Sequence, residues 1–297
     1  MLALRLTRSR LPWAARHLTT ATDAAPSPVP EAVRRFWKTV GVDQRADGVA
    51  VKLDHRTLRT PAGNPMLLPK SKTMLATVIA HEWDFQERLV KHHALPMTSL
   101  ASRAIDDLGN EATRDTARAA LLEYLDTDTI WLAPPADIPH FPRSTAPQPS
   151  PVPADPNPLP FSFFQDEPPP LVVLQDKLWE PLLDWARDTY GVEINKFGSL
   201  LYNSQPAATK AKFDSVLKEF DQWEMAAMER ATYTTKSFIV ALALVTRHLT
   251  AEQAAATASV ELDSQIERWG SVEDTHDVDY QDSRRQLGSA ACLLSNI

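Results

Sequence analysis

A histidine beside a carboxylate is the first arrangement in this chain that could do chemistry. His81-Glu82 opens the zinc-protease pattern H-E-x-x-H, in which two histidines one helical turn apart ligate the metal and the glutamate acts as base. The second histidine position is Phe85, so the ligand pair is not formed. Glu273 and His276 supply half of a carboxylate-bridged di-iron site, which needs a second Glu-x-x-His and two more inward glutamates. No other Glu-x-x-His occurs in the chain. His92-His93 are adjacent and would point to different helix faces. There is no G-x-S-x-G nucleophile elbow, and the 8 glycines form neither G-x-G-x-x-G nor a Walker loop. The single Cys292 allows neither an intramolecular disulfide nor a cysteine zinc site. What remains of the enzymatic reading is a hydrolase or metal enzyme that combines Glu273, His276 and neighbouring acids with His81 and Glu82.

Glu261–Asp277, ELDSQIERWGSVEDTHD, is the second stretch of interest. Helical spacing places Glu261 and Gln265 on one stripe with Ala258, Leu262 and Trp269. A carboxylate on a stripe that expects burial is a local conflict of the kind that marks function. Between Glu261 and Asp282 eight acids face one base, Arg268. Such a run is either a solvated face or a surface that steers a basic partner.

The elements that must position these residues read as β first and helix after. Val49, Val51 and Leu53 alternate with Ala50 and Lys52, the period of a half-buried strand. Asp54-His55-Arg56 and Pro61–Pro65 are turn clusters, Met66–Leu68 is a short apolar strand, and Gly48 closes a hairpin with Val40–Val42. This predicts a small antiparallel sheet of about three to five strands. Helices are expected over Ser71–His92 with Ser71 as cap, over Leu100–Leu108 with Thr98 or Ser99 as cap, and over Asp115–Thr127. Glu180–Tyr190, Pro206–Ala226, Thr234–Leu249 and Val278–Leu294 follow. Thr250–Gln253 is a capping box that opens the helix containing Glu261, and Gly270 ends that helix in a left-handed turn. The expected fold class is α+β: a small antiparallel β domain over residues 31–70, then a mainly helical domain over 71–297. A proline-rich insertion at 134–170 interrupts the helical part, with 14 of the chain's 24 prolines.

Composition narrows the function classes. The chain has 297 residues, 43% of them hydrophobic and 23% charged, an ordinary globular balance. A net charge of −7 argues against a nucleic-acid partner, which selects a basic face. The most apolar run, Phe238–Val245, is far shorter than the roughly 20 residues that cross a bilayer. Residues 1–25 differ: Arg5, Arg8, Arg10 and Arg16 with Ser and Thr, and no acid before Asp23, form the pattern of a mitochondrial transit peptide. Ala24–Pro30 reads as a linker.

Taken in order, Val51–Pro61 (VKLDHRTLRTP), Leu67–Pro69 (LLP), Glu82–Gln86 (EWDFQ), Pro96–Leu100 (PMTSL), Ala104–Asp106 (AID), Tyr124–Asp128 (YLDTD), Trp179–Trp185 (WEPLLDW) and Trp269–Asp277 (WGSVEDTHD) resemble the ATP12 family of mitochondrial ATP synthase assembly chaperones. The resemblance covers nearly all of Phe36–Asp279; the proline-rich segment is longer than the family pattern. It implies no catalysis and no cofactor. It implies a matrix chaperone, a monomer when free, that binds the unassembled alpha subunit of the catalytic head and keeps it from aggregating until beta arrives. On this reading Glu261, Gln265, Trp269, Glu273, His276 and Asp277 are the candidates for partner contact. Whether Glu261 meets the partner or holds Trp269 in place stays open.

Overall fold

The computed structural model describes residues 34–131, 170–197, 204–272 and 274–296. The expected transit peptide, the Ala24–Pro30 linker and, apart from Pro170, the proline-rich insertion lie outside them, as does Glu273.

Four strands come first: β1 (Val40–Gln44), β2 (Val49–Leu53), β3 (Arg56–Thr57) and β4 (Leu67–Leu68). All pairings are antiparallel, with β1 along β2 in the register Val40 to Leu53. β3 pairs with the end of β2 (Leu53 opposite Arg56) and β4 with its start (Val49 opposite Leu68). The strand expected at Val49–Leu53 is therefore present, but Ala50 is as buried as Val49 and Val51. The β2 strand is central and covered on both faces rather than half-buried. Gly48 is required by close approach: a Cβ there would stand 2.5 Å from the Leu68 carbonyl oxygen. The β2–β3 turn is fastened by Asp54, which accepts from the Lys38 and Thr39 amides at 3.0 and 2.8 Å.

Helices follow: α1 (Thr73–Asp84), α2 (Pro96–Asp106), α3 (Glu111–Thr127), α4 (Pro170–Leu178), α5 (Glu180–Tyr190), α6 (Ala207–Lys218), α7 (Gln222–Thr235), α8 (Phe238–Val245), α9 (Ala251–Ala258), α10 (Val260–Trp269) and α11 (Thr275–Leu293). Side chains from the sheet and from the helices belong to one continuous core. The α1 helix packs on β1 and β2, and α7 lies among α2, α3, α8 and α11. Every residue of α8 is buried, as a helix apolar on all sides requires.

Several expected boundaries are corrected. The α1 helix ends at Asp84 rather than His92 and has no Ser71 cap. Pro96 starts α2 instead of stopping a helix, since proline lacks an N–H that the first turn would leave unused anyway. The expected Pro206–Ala226 helix is two helices, divided where Asp221 and Glu224 form a capping box. The Thr250 capping box is present, but it opens α9, and Ser259 separates that helix from the one carrying Glu261. Gly270 ends α10 at φ 85, ψ 164, glycine backbone space but not the left-handed helical turn expected.

Glu82, the carboxylate of the failed zinc-protease pattern, is turned inward to hold a helix. Glu82 of α1 accepts from the Met97 and Thr98 amides at 2.7 and 2.9 Å and from the Thr98 hydroxyl at 2.7 Å. It thereby caps α2, which has no side-chain cap of its own. The Trp83 indole N–H donates to the same hydroxyl at 3.0 Å. Burial pushes the Glu82 carboxyl above its usual range, against the pull of those donors. Replacing Glu82 by alanine orphans half-buried donors and should cost about 2–3 kcal/mol. Glutamine, which keeps an acceptor, should recover part of the loss in denaturant midpoints.

Candidate interaction surface

The α10 helix packs on α4 and α9. Val260 is buried and Leu262 and Ile266 are half-buried, whereas Glu261, Gln265 and Trp269 are exposed. The spacing i, i+4, i+8 does set these three on one stripe, but the stripe faces solvent. The burial expected for it is thus overturned, because the Ser259 break detaches Ala258 from the stripe and rotates α10 onto α4 through its other side. No ion pair holds Glu261, Glu267, Asp274, Asp277 or Asp279 among the described residues.

Two bonds tie Val272, just after Gly270, to the first turn of α11. The Val272 amide donates to His276 Nδ1 at 2.9 Å, and the His276 amide returns a bond to the Val272 carbonyl at 3.2 Å. Asp274 precedes α11 with φ +66, a conformation that costs a non-glycine residue and needs surrounding structure to hold it. His276 is half-buried and Asp277 exposed. The result is an exposed acidic stretch, the ridge, that carries separate apolar side chains. Trp269 is 72% exposed, and Val272, Val278 and Tyr280 are also exposed. A shallow trough lined by Asp274, Asp277, Val278, Gln281, Asp282 and Arg285 runs along α11. Arg268 lies over the Trp269 ring at 5.6 Å.

The ridge has a fixed base. Arg284 grips Glu252 of α9 at 2.7 Å and stacks on Tyr280 at 3.2 Å. Arg285 reaches back to the His93 carbonyl at 2.6 Å. Burial pushes Asp263 upward and Arg284 opposes that.

Of the six candidates, the structure gathers Glu261, Gln265 and Trp269 on one helix face and places His276 and Asp277 at the turn beyond it. Val278 and Tyr280, which continue the ridge, were not singled out from the sequence; exposed apolar residues amid acids at the start of a helix were the available signal. Among the described residues, which leave out Glu273, those of the enzymatic alternative do not assemble. His81 lies edge-on to Phe85 at 4.4 Å, Glu82 is committed to α2, and among the described residues no group of three or more His, Cys, Asp or Glu is placed to hold a metal.

Similarity to known proteins identifies the family. The family model described as ATP12 chaperone protein matches residues 34–187. The mitochondrial protein atp12 of Schizosaccharomyces pombe is 31% identical over 275 residues, spanning 91% of this chain and 85% of that protein. The mitochondrial ATP12 protein of Saccharomyces cerevisiae is 28% identical, over 87% of this chain and 82% of that one. The crystal structure of Atp12 from Paracoccus denitrificans shares the fold with a TM-score of 0.67 at 24% identity, covering 88% of this chain and 97% of the other. These matches lead to one conclusion: the chain belongs to the ATP12 chaperone protein family, and its role is that of a chaperone in ATP synthase assembly and not of an enzyme.

Proposed function

We propose that this protein captures the unassembled alpha subunit of the mitochondrial ATP synthase catalytic head and shields the surface that later meets beta. The observation that supports the reading is the exposure of Trp269, Val272, Val278 and Tyr280 on a stretch rich in carboxylates that have no ion-pair partner among the described residues. An unassembled subunit exposes a large apolar interface, which is an aggregation liability. The apolar side chains on this stretch can anchor part of such an interface, and the acids around them speed capture of a basic partner without making release slow. Glu261, Gln265, Trp269, His276 and Asp277 are the contact residues on this reading, with Glu273, their neighbour in the sequence, added to them. The matrix as the site of action and residues 1–25 as the transit peptide belong to the same proposal, as does a monomeric free state and the division into a β domain at 31–70 and a helical domain at 71–297.

The test is aggregation of purified alpha subunit on dilution from denaturant, followed by light scattering with and without this chain. Near-stoichiometric suppression, with recovery of a one-to-one complex, is the expected result. Capture should slow as salt rises, since exposed charges are screened beyond roughly 8–10 Å at ordinary ionic strength. Unchanged scattering and no complex at low salt would overturn the assignment of the client.

A further inference from the structure

A second exposed apolar cluster stands apart from the ridge, in the Glu82–Gln86 motif. Four of that motif's five residues have internal work. Glu82 caps α2, Trp83 packs on Trp37 with ring centroids 5.0 Å apart, Asp84 pairs with Arg35 at 3.6 Å, and the Gln86 side chain accepts from the Lys91 amide at 2.8 Å. Phe85 alone of the five has none; it is 71% exposed, with its ring edge-on to His81.

Phe85 has neighbours of its own kind. Residues 34–37 are zipped against 84–89: Arg34 bridges Leu89, the Arg35 amide donates to the Arg88 carbonyl at 3.1 Å, and the Arg35 guanidinium grips the carbonyls on either side of Phe85, those of Asp84 and Gln86. Side chains opposite each other in a bridge share a face, and alternation adds the residue two further on. Leu89, 46% exposed, and Phe36, 67% exposed, lie on the two strapped segments that adjoin Phe85 in this edge of the fold. The charge around them is opposite to that of the ridge. Arg34, Arg35, Lys38, Arg88 and Lys91 stand against Asp84 and Glu87, and of these cations only Arg35 has a carboxylate partner among the described residues. In a chain of net charge −7 this is a local basic field.

We propose that the Phe36–Phe85–Leu89 edge is a second docking surface for the same client, taking an apolar segment flanked by carboxylates. Burial of the two phenylalanines would supply affinity, and Arg34, Arg88 and Lys91 would select the acidic flanks and speed the encounter. The chaperone would then hold its client at two places of opposite charge, which fixes orientation as well as contact. This rests on the alpha-subunit reading above.

The experiment measures binding of purified alpha subunit to the full chain and to two variants, F85A and the pair R88E with K91E, at low and high salt. Wild-type binding tests the client assignment by itself; the variants test the second surface. F85A should keep its unfolding temperature, because the ring is exposed, and should weaken binding about tenfold or more. The charge-reversed pair should slow association at low salt, and the difference should vanish at high salt. Wild-type binding with both variants within twofold of it would overturn the second surface while leaving the client in place. Unchanged alpha-subunit binding together with lost binding to vesicles rich in anionic phospholipid would overturn it too, assigning the edge to a membrane surface.

Discussion

Replacing Asp128 by alanine should lower the unfolding free energy by about 4 kcal/mol, the largest single stability effect expected in this chain. The reason lies in α8. A helix buried on every side cannot send its first amides to water, so the protein must supply acceptors. Asp128 does this from 110 residues away, accepting from the Phe238 amide at 2.7 Å and from the Ile239 amide at 3.2 Å. It also accepts from the Ile130 amide at 3.2 Å, closing its own turn. Ser237 takes the Val240 amide at 3.1 Å. Alanine at 128 leaves buried N–H groups without a partner, each worth roughly 1–3 kcal/mol. Thermal unfolding should fall by about 10 °C in a chain of this size. A fall of under about 2 °C would mean that the α8 terminus finds other acceptors.

The same carboxylate gives stability a pH dependence with a definite sign. Burial pushes Asp128 up to about 7 from its ordinary 3.8, with the Ser237, Ile130, Ile239 and Phe238 donors pulling the other way. A carboxyl whose folded value is raised holds its proton more tightly in the folded chain. Its contribution is therefore complete below about 4 and is lost as pH rises through about 7. Between pH 5 and 8 the wild type should lose stability more steeply than Asp128→Asn, which carries no titrating group there. Parallel profiles from denaturant melts at several pH values would refute the raised value.

Much of this architecture can be read from pattern, and the failures are instructive. The β2 strand, α5 and the Thr250 box follow from local rules that tertiary structure had no reason to override. The α1 boundary did not, because Leu89 and Val90 continue its helical spacing while in fact lining an edge strapped to residues 34–35. Asp221-x-x-Glu224 was a legible capping box that marks the break after α6. Ser259 carries no such mark, and missing it turned a solvent stripe into an expected buried one. Asp128 and Glu82 were seen as parts of motifs but not as caps. The amides they accept from lie 110 and 15 residues away, and nothing local names such a partner. The surface was partly legible for the opposite reason: acids, a lone tryptophan and a glycine stop are local signals, whereas exposure of Val278 and Tyr280 depends on what α11 packs against.

Glu261→Lys should leave the chain folded and reduce alpha-subunit retention more than tenfold, roughly the loss expected when a repulsive charge enters the centre of an interface. The side chain is exposed on α10, and among the described residues it has no ion-pair partner to lose. Surface substitutions of that kind change stability by only about 0.5 kcal/mol. The internal control is Glu267→Lys, the same charge change on the same helix but off the stripe of Glu261, Gln265 and Trp269. If the acids act only as a long-range field, both reversals should slow capture alike and salt should erase the difference between them and wild type. If Glu261 meets the client, its reversal should also speed release, and that part should persist at high salt, as Trp269→Ala should. Aggregation of the Glu261→Lys chain itself, or a fall in its unfolding temperature comparable to that of Asp128→Ala, would move Glu261 from contact to support. The exposed stripe argues against that outcome: a lysine there has the same solvent to enter, and the groups that anchor the ridge, Arg284 on Glu252 and Arg285 on His93, are untouched by the change.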